Sequence, residues 1–226
     1  MRVLHAVTQQ ERFIASGTYQ HHRDGALLSG QEQFSVHQQA DGGLFIRIDD
    51  DWREVYHTSQ LIEALTDPTG AVVFSRVVAQ LQRGTTVKRE TYDFYPDKVY
   101  IGLTGEGGAR QDHEQALPLG YVPLFGKTSL LGWALAAWPD SGTAQAFRGY
   151  RDDLRHAPVR PVIRAQTDPR PSPYGEALGW VLSHDDDLQQ AWVLPSQLVA
   201  FRHHHDLTIH LTNYAHRPDG QAGGRA

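Results

Sequence analysis

The chain has 226 residues, a net charge of −5, 40% hydrophobic residues, 21% charged residues and no cysteine. Without cysteine there is no disulfide, no thiolate nucleophile, no cysteine-ligated zinc and no iron–sulfur cluster. A net negative charge, with no lysine or arginine cluster, excludes a general nucleic-acid surface, which needs a basic stripe.

Residues 1–12 carry no apolar run of signal-peptide length, which predicts a cytoplasmic protein. No stretch approaches the roughly 20 apolar residues of a membrane helix. Residues 13–19 read as a first strand, closed by a turn over His21, His22, Arg23, Asp24 and Gly25. Asp-Gly is a strong turn pair because glycine takes positive φ freely. A second strand follows over 26–38, with Phe34 and Val36 on one face. After the turn Asp41-Gly42-Gly43, Leu44, Ile46 and Ile48 alternate with Phe45 and Arg47 in a third strand, which Asp49, Asp50 and Asp51 end as a solvated turn.

Residues 54–65 are ambiguous. Val55-Tyr56 suggests strand, while 59–65 fits a short helix capped by Thr58 or Ser59. Residues 71–81 and 85–95 form a hairpin across Arg83-Gly84, and 98–104 is the next strand, with Val99, Ile101 and Leu103 aligned. From 105 to 118 the pattern stops, as expected of a functional or mobile loop. Residues 119–127 are apolar but broken by Gly120, Pro123 and Gly126. Residues 128–138 are the best helix: Thr128 or Ser129 caps it, Leu130, Leu131, Ala134, Leu135 and Trp138 share a side, and Pro139 stops it.

Strands resume over 143–148 and 159–166. The segment Asp168-Pro-Arg-Pro-Ser-Pro173 predicts a rigid loop, since proline donates nothing to a ladder. Residues 175–183 form a strand, Asp185, Asp186 and Asp187 a turn, and two strands over 192–202 and 207–214 close the chain around His203, His204, His205 and Asp206. These periods predict a mainly β (α+β) fold: an antiparallel curved sheet or half-barrel around one short helix. Residues 1–216 read as a single β-rich domain and 217–226 as a flexible Gly-rich tail.

No motif announces catalysis. Ser16, Ser29 and Ser141 lack a Gly-x-Ser-x-Gly elbow. The glycines at 102, 105, 107 and 108 lack the lysine and hydroxyl of a phosphate loop. The aspartate triplets lack calcium-loop spacing. His203 and His205 offer imidazoles to a metal, which gives a metal-dependent hydrolase as one alternative, although a zinc site wants three or four converging ligands. The expectation is no catalytic residue, no metal ligand and no cofactor.

The aromatics carry more. Tyr92 and Phe94 share a strand face, and Tyr100, Tyr121, Phe125, Trp133 and Trp138 gather around the loop and helix. Core packing accounts for such a set. The functional reading is an apolar cleft lined by Tyr92, Phe94, Tyr100, Tyr121, Phe125, Trp133 and Trp192, holding a hydrophobic or lipid-like small molecule. A structural or partner-binding module is the other alternative.

The closing run Trp192-Val-Leu-Pro195-Ser-Gln-Leu198 with its hairpin to Leu211, the opening Gly17-Thr-Tyr19 with Gly30-Gln-Glu-Gln-Phe34, and Leu117-Pro118-Leu-Gly120 resemble the LolA/LolB lipoprotein carriers. They are closer still to uncharacterised bacterial half-barrel proteins of that group. The resemblance implies an antiparallel half-barrel around a helix, an apolar concave face able to take acyl chains, and no catalytic residue.

Overall fold

In the computed structural model the alternation becomes one long winding sheet. The structure describes all residues except 70, 82–86, 106–107, 120, 126, 139–143, 148–159, 185–186, 197 and 217–226, and the side chains of 76–81, 87–88, 125, 144–147, 160–161, 184 and 187 are also left out. The expected turns at Arg83-Gly84 and at 185–186, and the tail 217–226, lie outside the described residues.

The strands are β1 (Arg12–Arg23), β2 (Ala26–Gln38), β3 (Leu44–Trp52), β4 (Thr58–Thr66), β5 (Val72–Leu81), β6 (Val87–Tyr95), β7 (Lys98–Thr104), β8 (Arg110–Ala116), β9 (Val122–Phe125), β10 (Ala144–Phe147), β11 (Arg160–Ser172), β12 (Gly175–His184), β13 (Asp187–Val193), β14 (Val199–His204) and β15 (Leu207–His216). The helices are α1 (Arg53–Tyr56) and α2 (Thr128–Ala137). Each strand pairs antiparallel with its neighbour, except that β9 and β10 run parallel. The sheet order runs from β8 back to β1, then β15 down to β9. The chain therefore starts in the middle of the sheet, winds out to one edge, crosses to the other edge and winds home to pair β15 with β1.

That path forces the sheet to curl. Laid flat at about 4.8 Å per strand, its two edges would stand about 65 Å apart. Only residues 117–121 join β8 at one edge to β9 at the other, a reach of about 20 Å. The edges come close in space: Tyr121, just before β9, donates its hydroxyl at 3.0 Å to the Lys98 carbonyl of β7, the strand beside the edge strand β8. Among the described residues β8 and β9 do not pair, so the barrel stays open.

The helix α2 sits inside this curl. Every residue from Thr128 to Leu135 is buried, as fits a helix apolar all round rather than on one face. It packs against β2, β9 and β14. Tyr19, Phe34, Val36, Ile46, Ile48, Ile62, Tyr92, Ile101 and Leu103 project from the concave face into the same core as Leu130 and Leu135. Residues 1–11 cross the opposite, convex face. There Arg2 pairs with Asp49 at 2.6 Å, the His5 amide and ring both meet Glu63, and Arg47, 1% exposed, bonds to Glu11 and to the His5 carbonyl. No described helix is long and apolar enough to cross a membrane.

Several expectations need correction. Asp49, Asp50 and Asp51 are not a turn: β3 runs through them, and Asp49 and Asp50 are each 5% exposed because each carboxylate has a partner on its own face of the sheet. Residues 59–65 are strand, not helix. Ser59 and Glu63 are covered by the N-terminal segment while Ile62 and Ala64 enter the core, so both faces are buried and the period is blurred. Residues 110–116 form the edge strand β8; nearly all are exposed, so no apolar row marked it.

The proline run also lies in a strand, β11. Only Arg160 to Val162 of β11 pair with β10, so Pro169 and Pro171 sit where the outer edge has no described partner and cost no ladder bond. At the C-terminus the expected strand over 192–202 divides at the Leu194–Leu198 loop into β13 and β14. His21, His22 and Arg23 belong to β1, leaving Asp24-Gly25 as a two-residue turn with φ of 50° and 79°. His203 and His204 belong to β14, leaving His205-Asp206 as the turn.

Candidate functional site

Part of the expected aromatic set converges on the concave face. Tyr92, 1% exposed, stacks on Phe94 with centroids 6.1 Å apart, and Phe94 meets the edge of Tyr121 at 6.3 Å. The Tyr92 hydroxyl donates to Glu90 Oε2 at 3.1 Å. Trp133, 7% exposed on α2, lies in the same buried core, and its indole N–H has no hydrogen-bond partner among the described residues. The buried Ser75 Oγ, on the strand position opposite Tyr92, has none among them either. The Phe125 side chain lies outside the described residues.

Two of the expected residues sit elsewhere. Tyr100 alternates with the inward Val99 and Ile101, so it lies on the outer side of β7, 38% exposed, against Tyr95 and beneath the Lys98 ammonium. Trp192 faces away from the helix: its neighbour Ala191 pairs with Arg202, which reaches α2 through the Thr128 hydroxyl. The Trp192 indole donates to the Asp168 carbonyl at 3.1 Å, and Arg170 lies 4.2 Å over its ring.

A second constellation, which the sequence reading missed, occupies one end of the same concave face. Glu32 and Asp50 stand directly opposite each other on β2 and β3. Glu32 accepts the backbone N–H groups of Thr128 at 3.2 Å and Ser129 at 2.7 Å, together with the Ser129 hydroxyl. A carboxylate from a distant strand thus caps α2, in place of the expected Thr128 or Ser129 side chain. Burial, helped by the Asp50 charge, pushes the Glu32 carboxyl up, while Lys127 and Ser129 pull it down.

Asp50 pairs with the Lys127 ammonium and accepts the Trp52 indole N–H at 2.7 Å. Arg202 donates to Thr128 Oγ1 at 3.3 Å and to Gln189 Oε1. Into this ring of charge projects His21, 5% exposed, its ring edge-on to Trp52 with centroids 4.6 Å apart. Neither ring nitrogen of His21 has a partner among the described residues. Burial, with Lys127 and Arg202 close by, lowers its pKa to about 4 against the pull of Asp50, so the ring is neutral at pH 7. These groups surround a pocket of about 190 Å³ whose apolar walls are Trp52, Leu207 and Ile209.

A signal for this cluster was present. Glu32 falls on the buried row with Phe34 and Val36, Asp50 on the row with Ile46 and Ile48, His21 on the row with Tyr19, and Arg202 on the row with Ala200. Four polar residues interrupt apolar rows at the same end of adjacent strands.

The histidine-rich tip does not converge. His203 lies against Trp192 and Thr208 on the outer side, while His205 sits in the turn with φ of 54°. Among the described residues no group of three or more His, Asp or Glu is placed to hold a metal ion.

No family model matches the sequence, and no curated protein matches it. Among solved structures the chain is similar to the crystal structure of a beta-barrel-like protein of a domain of unknown function, DUF1849, from Brucella abortus, with a TM-score of 0.54 and 13% identity over 91% of this chain and 99% of that one. At that identity the likeness shows the fold alone, and the fold is barrel-like.

Proposed function

We propose that this protein is a non-enzymatic binding protein that holds a hydrophobic, lipid-like ligand between its curved sheet and α2, with residues 1–216 acting as one unit. One observation carries the reading. Trp133 places an indole N–H, and Ser75 a hydroxyl, in the largely apolar buried core with no partner for either among the described residues. A buried donor left unmade costs about 1–3 kcal/mol, and a ligand with an ester or carboxyl oxygen on an apolar body would recover it. Tyr92, Phe94 and Tyr121 supply the aromatic wall, and Phe125 belongs to the same proposed lining. Tyr100 and Trp192 lie on the other side of the sheet and fall outside it. The resemblance to the LolA/LolB carriers supports the same reading, since their plan is also a curved sheet around a helix with room for acyl chains.

The test is uptake of a dansyl-labelled fatty acid by the full chain and by Trp133→Phe, which keeps the aromatic ring and removes the donor. The wild type takes up the probe saturably, and the variant binds it about five- to tenfold more weakly, matching about 1–1.4 kcal/mol for one hydrogen bond. A second reading has its own support: Leu130, Leu131, Ala134 and Leu135 of α2 fill the concave face, as a purely structural or partner-binding module would have it. Absence of probe uptake favours that reading over ours.

A further inference from the structure

The polar pocket at the N-terminal end of α2 has balanced formal charge, and each charged group is held by hydrogen bonds or an ion pair. Glu32 is bound to the helix amides and the Ser129 hydroxyl, Asp50 to Lys127 and to the Trp52 indole, and Arg202 to Thr128 and Gln189. Two carboxylates and two cations leave no net charge for a ligand to neutralise. His21 differs from its neighbours. It is 95% buried, lines the pocket, and has no partner for either ring nitrogen among the described residues. A neutral imidazole presents one N–H donor and one lone-pair acceptor, so the group it lacks must both accept and donate. The pocket's remaining lining is apolar at Trp52, Leu207 and Ile209 and polar at His204. Its volume of about 190 Å³ lies below the ~300–1,000 Å³ of sites for drug-sized ligands.

We propose that this pocket is a binding site for a small uncharged polyhydroxylated molecule of monosaccharide or inositol size. A hydroxyl donates and accepts through one atom, and two neighbouring hydroxyls on a ring serve both nitrogens of His21. The C–H faces of such a ring suit the Trp52 and Ile209 walls. A charged ligand is disfavoured from both directions. An anion drawn to Lys127 or Arg202 would meet Glu32 and Asp50, a cation would meet the reverse, and either would compete with the Asp50–Lys127 pair or with the bonds that hold Glu32 and Arg202. The site shares no lining residue with the apolar interior around Tyr92 and Trp133, so it stands or falls separately from the lipid reading.

The experiment is ligand-observed saturation-transfer NMR followed by titration calorimetry on the full chain. D-glucose, myo-inositol and glycerol are the probes, with glycine and inorganic phosphate as charged comparators. Two variants are used: His21→Leu removes both polar atoms, and His21→Gln keeps a donor and an acceptor. The expected result is saturable binding of at least one polyol, weakened at least tenfold in His21→Leu and less in His21→Gln, with fatty-acid probe uptake equal in all three proteins. An unchanged circular dichroism spectrum and cooperative urea unfolding, neither of which depends on lipid binding, show that a loss of polyol binding in His21→Leu is not a loss of fold. The proposal is overturned if no polyol gives saturation transfer, if His21→Leu binds as tightly as the wild type, or if glycine or phosphate is preferred.

Discussion

Glu32 is the residue on which the interior turns. It reaches from β2 to the first two amides of α2, where orphan N–H groups and the helix dipole favour a carboxylate. Glu32→Ala strands those buried donors and the Ser129 hydroxyl, while Lys127 keeps Asp50, and we expect a loss of about 3 kcal/mol, read as a fall in the urea midpoint at unchanged slope. His21 sets a pH dependence of definite sign. Its pKa is held down to about 4 in the folded protein against about 6.5 unfolded. As pH falls below 6.5 the unfolded chain takes up the proton first, so stability is lost between pH 6.5 and 4 and is unaffected above that window. The shift corresponds to about 3 kcal/mol at the bottom of the window. His37, His203 and His210 are lowered by burial too and act with the same sign, while Glu32, raised, acts with the opposite one. The difference between the wild type and His21→Leu in urea midpoint across that range therefore isolates His21. The variant is expected to be the more stable protein at pH 5, and equal slopes in the two would refute the assignment.

The N-terminal segment behaves as an element although it is not regular. Its hold on the convex face of β3 and β4 is polar: Arg2 to Asp49, His5 to Glu63, and Glu11 to the buried Arg47. Replacing Arg47 by Met removes the charge that both Glu11 and the His5 carbonyl use. We expect about 3 kcal/mol of destabilisation, with amide hydrogen exchange rising across residues 1–11 while β6 and β7 stay protected. The same packing explains what the sequence hid. The strands with one buried face, 26–38 and 98–104, were legible to their ends because Phe34 and Val36, or Val99, Ile101 and Leu103, keep a clean period of two. The strand over 58–66 was not legible, because polar Glu63 is buried on the outer face beside Ile62 and Ala64 on the inner one. The edge strand over 110–116 showed no period because almost nothing in it is buried. The helix was legible, but its cap was not: Glu32 lies 97 positions before Ser129, and no local spacing announces such a partner.

At the scale of the whole molecule, a short link between distant edges curls the sheet, and the curl makes the interior. A sheet whose first and last edges are joined by residues 117–121 must wrap, and something apolar must fill the wrap. The chain supplies α2 for that role, with Thr128 to Leu135 buried. Around the helix, the fold separates an aromatic region holding unpaired donors from a charged pocket holding an unpaired imidazole. In the aromatic region, Tyr92, Phe94 and Tyr121 were marked by sequence and touch one another, and Trp133 lies in the same buried core. The charged pocket was not, since His21, Glu32, Asp50 and Arg202 come from four strands that only the sheet order brings together. The proposed lipid-like ligand of the interior is open to a direct test by native mass spectrometry of the full chain, purified without detergent and followed by solvent extraction. The expected result is a population carrying a noncovalent adduct whose mass matches an extractable lipid and which a dansyl-labelled fatty acid displaces. The bare chain alone, with no uptake of that probe, would contradict it.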